Sequence, residues 1–227
     1  MGLLAALRGT TSVHAQSAPG TGLLDTVAGR NAPVVRAAGT FGRTRRPTAD
    51  DPHLRAPKVL ATRVASAITL DGRLNDPAWS AAEPATGFRQ TEPVDGAAAS
   101  EQTEVRIVYD DEAVYVGARL YDRTGHVSSR LGRRDAELTD SDWFIVVFDS
   151  YHDHLGGFRF KVNPSGVTGD EANGERSWNP VWTVATSIDS LGWTAELRIP
   201  FSQLRFGSAS EQEWGIQFLR EIRSTAE

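Results

Sequence analysis

The sequence feature that most constrains the fold is a strict alternation of residue types over residues 192–201. Apolar side chains occupy every second position: Trp193, Ala195, Leu197 and Ile199. Polar side chains occupy the positions between them: Thr194, Glu196 and Arg198. Because successive side chains of a strand point to opposite faces of a sheet, this period of two predicts a half-buried strand.

Other segments of the same kind recur along the chain and are rich in β-branched and aromatic residues. They cover residues 59–64, 68–70, 103–109, 114–121, 143–148, 157–162, 181–188 and 214–219. The polar residues 110–112 predict a turn that joins two of these segments into a hairpin. Asp76 in a cap position and Pro77 in the first turn predict one short helix. The sequence therefore predicts an all-β fold, an antiparallel β-sandwich of jelly-roll or immunoglobulin-like type with one short helix near its start.

The chain divides into three parts by composition. Residues 1–15 carry a short apolar run and end in Val13-His14-Ala15, which resembles a signal-peptidase site and predicts a clipped signal peptide. Residues 16–57 are dominated by Gly, Ala, Pro and Arg and predict a disordered linker. Residues 58–227 hold the predicted sandwich, whose last strand is followed so closely by the end of the sequence that we expect a fragment of a longer chain. The protein is predicted to be exported to the periplasm, the outer membrane or the cell surface.

Composition excludes several kinds of chemistry. The chain has no cysteine, so disulfides, thiolate catalysis and cysteine-based metal sites are ruled out. The only methionine is Met1 and there is no C-x-x-C-H motif, which argues against haem. No phosphate-cradling glycine loop is present, which argues against nucleotide binding. The formal net charge of −5 argues against nucleic acid as a partner.

The six tryptophans are the first candidates for a binding site, because sugars present apolar C–H faces that stack on flat aromatic rings. Three of them lie within apolar alternations and are predicted to be core residues: Trp79, Trp193 and Trp214. Trp178 and Trp182 flank a polar, glycine-containing segment and are the best stacking candidates, although a structural role fits them equally well. Trp143 begins a strand and is a third candidate, at the rim of a site.

Acidic residues suggest a metal site. Asp149 and Asp153 follow an apolar strand closely enough to share a calcium ion, and Asp170 is a further ligand from a neighbouring segment. The alternative is that these aspartates form turns by accepting hydrogen bonds from their own backbone.

The combined motifs of residues 58–227 resemble the family 9 carbohydrate-binding modules. More closely, they resemble such domains at the N-terminus of large bacterial proteins that continue into a C-terminal outer-membrane β-barrel of uncharacterised function. The segments that carry the resemblance are residues 70–72, 76–79, 105–109, 114–120, 142–149, 153, 157–166, 178–182, 192–206 and 214–216.

The resemblance implies a non-catalytic sandwich that binds a polysaccharide or oligosaccharide and takes part in polysaccharide breakdown, often with a structural calcium ion. Under this interpretation Trp178, Trp182 and Trp143 stack on sugar, while Arg159 and Lys161 donate hydrogen bonds to hydroxyl groups. One alternative is a periplasmic protein-interaction domain that does not bind sugar. A third is a glycoside hydrolase, which needs two carboxylates facing each other across a cleft.

Overall fold

A computed structural model describes residues 5–6 and 58–227 of the chain. Apart from residues 5–6, the predictions of a signal peptide over residues 1–15 and of a linker over residues 16–57 lie outside the described residues. Among the residues described, no helix has the length and apolar character needed to cross a membrane.

The described residues form two sheets with very little helix. The elements, in chain order, are β1 (Ala5–Ala6), β2 (Thr62–Arg63), α1 (Pro77–Ser80), β3 (Arg89–Gln90), β4 (Thr103–Tyr109), β5 (Ala113–Tyr121), β6 (Trp143–Asp149), β7 (Phe158–Val162), β8 (Thr168–Ala172), β9 (Thr183–Asp189), β10 (Gly192–Pro200), a 3-10 helix (Phe201–Gln203) and β11 (Gly215–Glu221). One sheet has the order β3-β1-β11-β6-β7-β8, and the other has the order β2-β4-β5-β10-β9. Every strand pair is antiparallel except β2 with β4. The predicted β-sandwich is confirmed.

The core lies between the two sheets and is built by the predicted alternation. The four apolar residues of β10, from Trp193 to Ile199, are fully buried in it. Trp214 also lies in this core, in edge-to-face contact with Phe148 at 6.0 Å between ring centroids. The prediction that Trp193 and Trp214 are core residues is confirmed.

The outer face of β10 differs from the prediction of a half-buried strand. Glu196 is fully buried and Thr194 is 7% exposed, because the segment before β3 packs over this face. Trp79 from α1 lies there too, buried at 1% exposure in a second apolar cluster on the outside of the five-stranded sheet. Trp79 is thus a core residue as predicted, but of this smaller core.

Local chemistry explains the turn and the helix. Oδ1 of Asp110 accepts hydrogen bonds at 2.8 Å from the backbone of Glu112 and of Ala113, which closes the predicted β4–β5 hairpin. Asp76 stands at the predicted cap position and Pro77 begins α1, but the Asp76 carboxylate accepts the Thr69 N–H at 3.0 Å instead of capping the helix.

Candidate functional site

The predicted sugar-contacting residues lie on two different faces, because side chains alternate between the two faces of β7. Phe158 and Phe160 point into the core, whereas Arg159 and Lys161 point to the outer face of the six-stranded sheet. Asp170 of β8 pairs with Phe160 in the register and therefore lies on the inner side. Predicted residues thus contribute to two different surfaces, one at the edge of the sandwich and one on its outer face.

Trp178 and Trp182 lie together at the edge of the sandwich, between β8 and β9. Both side chains are half-buried. The Trp178 ring lies 5.2 Å from the Phe158 ring and 5.5 Å from the Phe160 ring, between centroids. The Trp182 ring meets the Phe160 ring edge-to-face at 5.2 Å. Core phenylalanines therefore hold both indoles in fixed orientations while part of each remains accessible.

Asp170 fixes the polar side of the same surface. Its carboxylate is fully buried and accepts hydrogen bonds from Trp182 Nε1 at 3.1 Å and from the Arg134 guanidinium at 2.5 Å. Arg134 also donates to the backbone carbonyl of Pro180 at 2.9 Å, and its side chain is 36% exposed. Burial raises the pKa of Asp170, and the two donors oppose that rise. We call Arg134, Asp170, Trp178 and Trp182 the edge site.

A cavity of about 380 Å³ opens on the outer face of the six-stranded sheet, and we call it the outer groove. Its lining includes Glu137, Trp143, Arg159, Lys161, Arg176, Glu221, Arg223 and Glu227. Trp143 is only 4% exposed and lies in the floor instead of at a rim. Its Nε1 donates to the Leu138 carbonyl at 3.0 Å, and Lys161 Nζ lies 4.7 Å from the centre of its ring. The ammonium group covers Trp143, so this placement does not favour the predicted stacking on sugar.

Asp149 and Asp153 form turns in the segment after β6. The Asp149 carboxylate accepts the backbone N–H of His154 at 2.8 Å and that of Asp153 at 3.3 Å, and Asp153 accepts the N–H of Leu155 at 2.9 Å. Asp170 is engaged by Arg134 in the edge site, so these three carboxylates do not form a common ligand set. Across residues 58–227, no group of three or more histidine or acidic side chains is arranged to hold a metal ion. Calcium binding stays a prediction.

Several residues of both surfaces were not predicted from the sequence. Arg134 of the edge site, and Glu137 and Arg176 of the outer groove, come from irregular segments with no motif or periodicity. Only contacts between residues far apart in the chain bring them together, as when Arg134 pairs with Asp170 of β8 at 2.5 Å and Arg176 pairs with Glu137 at 2.5 Å. No local signal in the sequence marks them.

Glu196 holds residues 70–79, one of the segments that carry the family resemblance, against the five-stranded sheet. Its Oε2 accepts the backbone N–H of Asp71 at 3.0 Å and that of Gly72 at 2.7 Å. Its Oε1 accepts Trp79 Nε1 at 2.8 Å. One buried carboxylate on β10 therefore ties down both ends of this segment.

The described residues combine a two-sheet sandwich with two half-buried indoles at one edge. Residues 70–221 match the family model described as carbohydrate family 9 binding domain-like, and the chain belongs to this family. The predicted family 9 resemblance is confirmed.

Two solved structures are similar to the chain. A family 9 carbohydrate-binding module from Caldicellulosiruptor kristjanssonii in complex with cellotriose is 17% identical with a TM-score of 0.45, over 69% of this chain and 83% of that one. A structure of a family 9 module from the same organism in complex with glucose gives the same identity and TM-score, over 69% and 84%. No curated protein sequence matches the chain significantly.

Proposed function

We propose that this chain is a non-catalytic carbohydrate-binding module whose edge site holds the sugar. The observation that carries the proposal is the pair of half-buried indoles, Trp178 and Trp182, fixed beside the Arg134–Asp170 ion pair. Membership of the family supports it. Rigid aromatic surface next to a few oriented polar groups is what a small-molecule site needs.

The chemistry of the edge site suits a neutral sugar. The accessible indole surface packs against the apolar C–H face of a pyranose ring. The partly exposed guanidinium of Arg134 has N–H donors beyond those used by Asp170 and Pro180, and these donate to sugar hydroxyls. Asp170 serves as a positioning residue, because it orients both Trp182 and Arg134.

Replacement of the two tryptophans tests the proposal. We expect Trp178→Ala and Trp182→Ala each to weaken binding of a neutral oligosaccharide by about 1–3 kcal/mol in titration calorimetry, as for central contacts of an interface. Tyr121→Ala is the matched control, because this aromatic residue belongs to β5 of the other sheet. It should leave the affinity unchanged.

Both tryptophans also pack on core residues, so the melting temperature of each variant must be measured. Trp182→Phe keeps an aromatic ring near Phe160 but removes the N–H donated to Asp170. We expect it to remain folded and to bind less tightly than the wild type. Unchanged affinity in both alanine variants would reject the edge site as the sugar site.

We further propose that the protein is exported and serves polysaccharide breakdown at the cell surface, as the N-terminal part of a protein with an outer-membrane barrel. The pattern Val13-His14-Ala15 supports export, and the resemblance of residues 58–227 supports the larger architecture. Fractionation of cells that express the full-length gene tests both ideas. Recovery of the protein in the cytoplasm would reject them.

A protein-interaction domain without sugar binding is the second candidate. The observation that favours it is the burial of four of the six tryptophans: Trp79, Trp143, Trp193 and Trp214. A folded chain that fails to bind any glycan would support this candidate.

A further inference from the structure

The outer groove has the size of a ligand site and is strongly charged. Its volume of about 380 Å³ falls in the range of small-molecule sites, roughly 300–1,000 Å³. Four cationic side chains line it, together with three carboxylates. How these charges pair decides which ligand fits.

Two of the three carboxylates already have partners. Glu137 accepts from Arg176 at 2.5 Å. Glu227 accepts the backbone N–H of Ser100 at 2.9 Å and the amide of Gln90 at 3.0 Å. Glu221 is the remaining carboxylate. Burial raises its pKa, and the charges of Arg159, Lys161 and Arg223 oppose that rise.

Within residues 58–227, three cations of the groove lack an ion-pair partner within 4.0 Å: Arg159, Lys161 and Arg223. Arg159 and Lys161 stand two positions apart on the outer face of β7. Within residues 58–227, neither side chain has a carboxylate within 4.0 Å. Burial and the charge of Arg159 lower the pKa of Lys161. Glu171 pairs with Arg159 in the sheet register, and the charge of Glu221 acts on both cations. Because no carboxylate lies within direct ion-pair distance of either cation, both keep N–H donors for a bound anion.

The backbone makes room for one of these cations. Gly169 of β8 pairs with Lys161 in the register. A Cβ atom at Gly169 would lie 2.3 Å from Cε of Lys161, so any larger residue displaces the lysine chain. The glycine therefore permits the position in which Nζ lies over Trp143.

We propose that the outer groove binds an anionic group carried by a carbohydrate, with Arg159 and Lys161 as its ligands. The guanidinium fork suits a carboxylate or a sulfate, and the ammonium supplies a second charge-assisted donor. The choice of a carbohydrate over other anions rests on the proposed function of the domain. A uronate and a sulfate ester are the two sources of such a group.

The first test is titration of the full chain with hexagalacturonate, with a sulfated glucan oligosaccharide and with uncharged cellohexaose. We expect one of the two anionic ligands to bind, and Arg159→Gln and Lys161→Gln each to weaken that binding about tenfold or more. Arg73→Gln is the control, because it removes an exposed cation from the turn that covers the other sheet. It should leave the affinity unchanged.

Two further variants should change the affinity for the anion in ways that a purely structural role of Arg159 and Lys161 would not produce. Glu221→Gln removes the negative charge that acts on both Arg159 and Lys161, and should strengthen anion binding severalfold. Gly169→Ala keeps both cations but displaces Lys161, and should weaken anion binding.

Lysine labelling offers a direct readout, because Lys58 and Lys161 are the only lysines of the chain. Bound hexagalacturonate should protect Lys161 from acetylation and leave the exposed Lys58 reactive. No anion binding by the folded wild type, or binding that survives both Arg159→Gln and Lys161→Gln, would overturn the inference. Loss of cellohexaose binding in Trp178→Ala is a separate outcome, since it concerns only the edge site.

Discussion

The outer faces of the two sheets make opposite use of buried charge. On the five-stranded sheet, the Glu196 carboxylate accepts three N–H donors and holds Trp79 against the strands. On the six-stranded sheet, Lys161 lies over Trp143 with Arg159 two positions away, and neither cation has a carboxylate within 4.0 Å among the described residues. The first carboxylate has its hydrogen bonds satisfied by the segment that covers it, whereas the two cations keep donors that face an open groove.

The same contrast appears in the apolar residues beneath these charges. The segment with Trp79 forms a cluster with Val108 and Tyr115, which seals the outside of the five-stranded sheet. On the other sheet, Trp143 and Leu219 also form an apolar cluster, but the outer groove opens beside it. The first face is therefore closed by packing, whereas the second keeps the open groove in which we propose that an anion binds.

The largest effect expected is that of Glu196→Ala, because it leaves three N–H groups without their acceptor. We expect a loss of roughly 3 kcal/mol in the free energy of unfolding, measured by urea titration. Glu112→Ala is the control, since its surface pair with Arg198 contributes about 0–1 kcal/mol. If Glu196→Ala cost no more than this control, the carboxylate would not hold the covering segment.

A pair of glycine substitutions compares the two faces directly. A Cβ atom at Gly117 would lie 2.8 Å from the rings of Trp79 and from Leu74, so Gly117→Ala should cost about 1–3 kcal/mol through overpacking. Gly169→Ala meets mainly the flexible chain of Lys161 and should change stability by about 0.5 kcal/mol or less. Thermal unfolding of both variants measures the difference. Equal losses would mean that the outer groove is packed as rigidly as the sealed face.

A smaller effect follows from the lowered pKa of Lys161. Because the folded protein releases this proton more readily than the unfolded chain, the stability contributed by this group rises as pH increases between the lowered pKa and 10.5. Anion binding should change the other way and weaken over the same window, as the ammonium is lost. The Lys161→Arg variant keeps a positive charge at this position up to high pH, so its affinity for hexagalacturonate should not fall over this window. Titration at a series of pH values measures this.

The smallest effect is expected for calcium. Since Asp149 and Asp153 already accept backbone N–H groups and Asp170 pairs with Arg134, we expect the predicted calcium binding to raise the melting temperature only slightly. A rise of the melting temperature with calcium that Asp149→Asn abolishes would support the predicted site.

Alternation made much of the fold predictable. The strands that carry large apolar residues at every second position, such as β4, β7 and β10, lie where the sequence placed them. β8 was missed because its sequence, Thr-Gly-Asp-Glu-Ala, lacks any apolar alternation and is held by pairing with β7. Of the two strands expected before α1, only β2 (Thr62–Arg63) forms.

The candidate site residues were harder to predict, although the sequence does indicate that they belong to two different faces of the sheet. Arg159 and Lys161 alternate along β7 with core residues such as Phe160. Trp178 and Trp182 pack on Phe160, so the two cations lie on the opposite face of the sheet. The role of Glu196 was hidden, since an outward-facing glutamate in a strand ordinarily meets water. Only the tertiary structure shows that Trp79 and its segment cover it.

The measurement that tests the central claim most directly is a glycan-array screen of the full chain, repeated with Trp178→Ala. We expect a clear signal on at least one class of polysaccharide, and loss of the signal for neutral glycans in the variant. If a folded, monodisperse wild-type chain bound no glycan on the array, this would contradict carbohydrate binding and favour the protein-interaction domain.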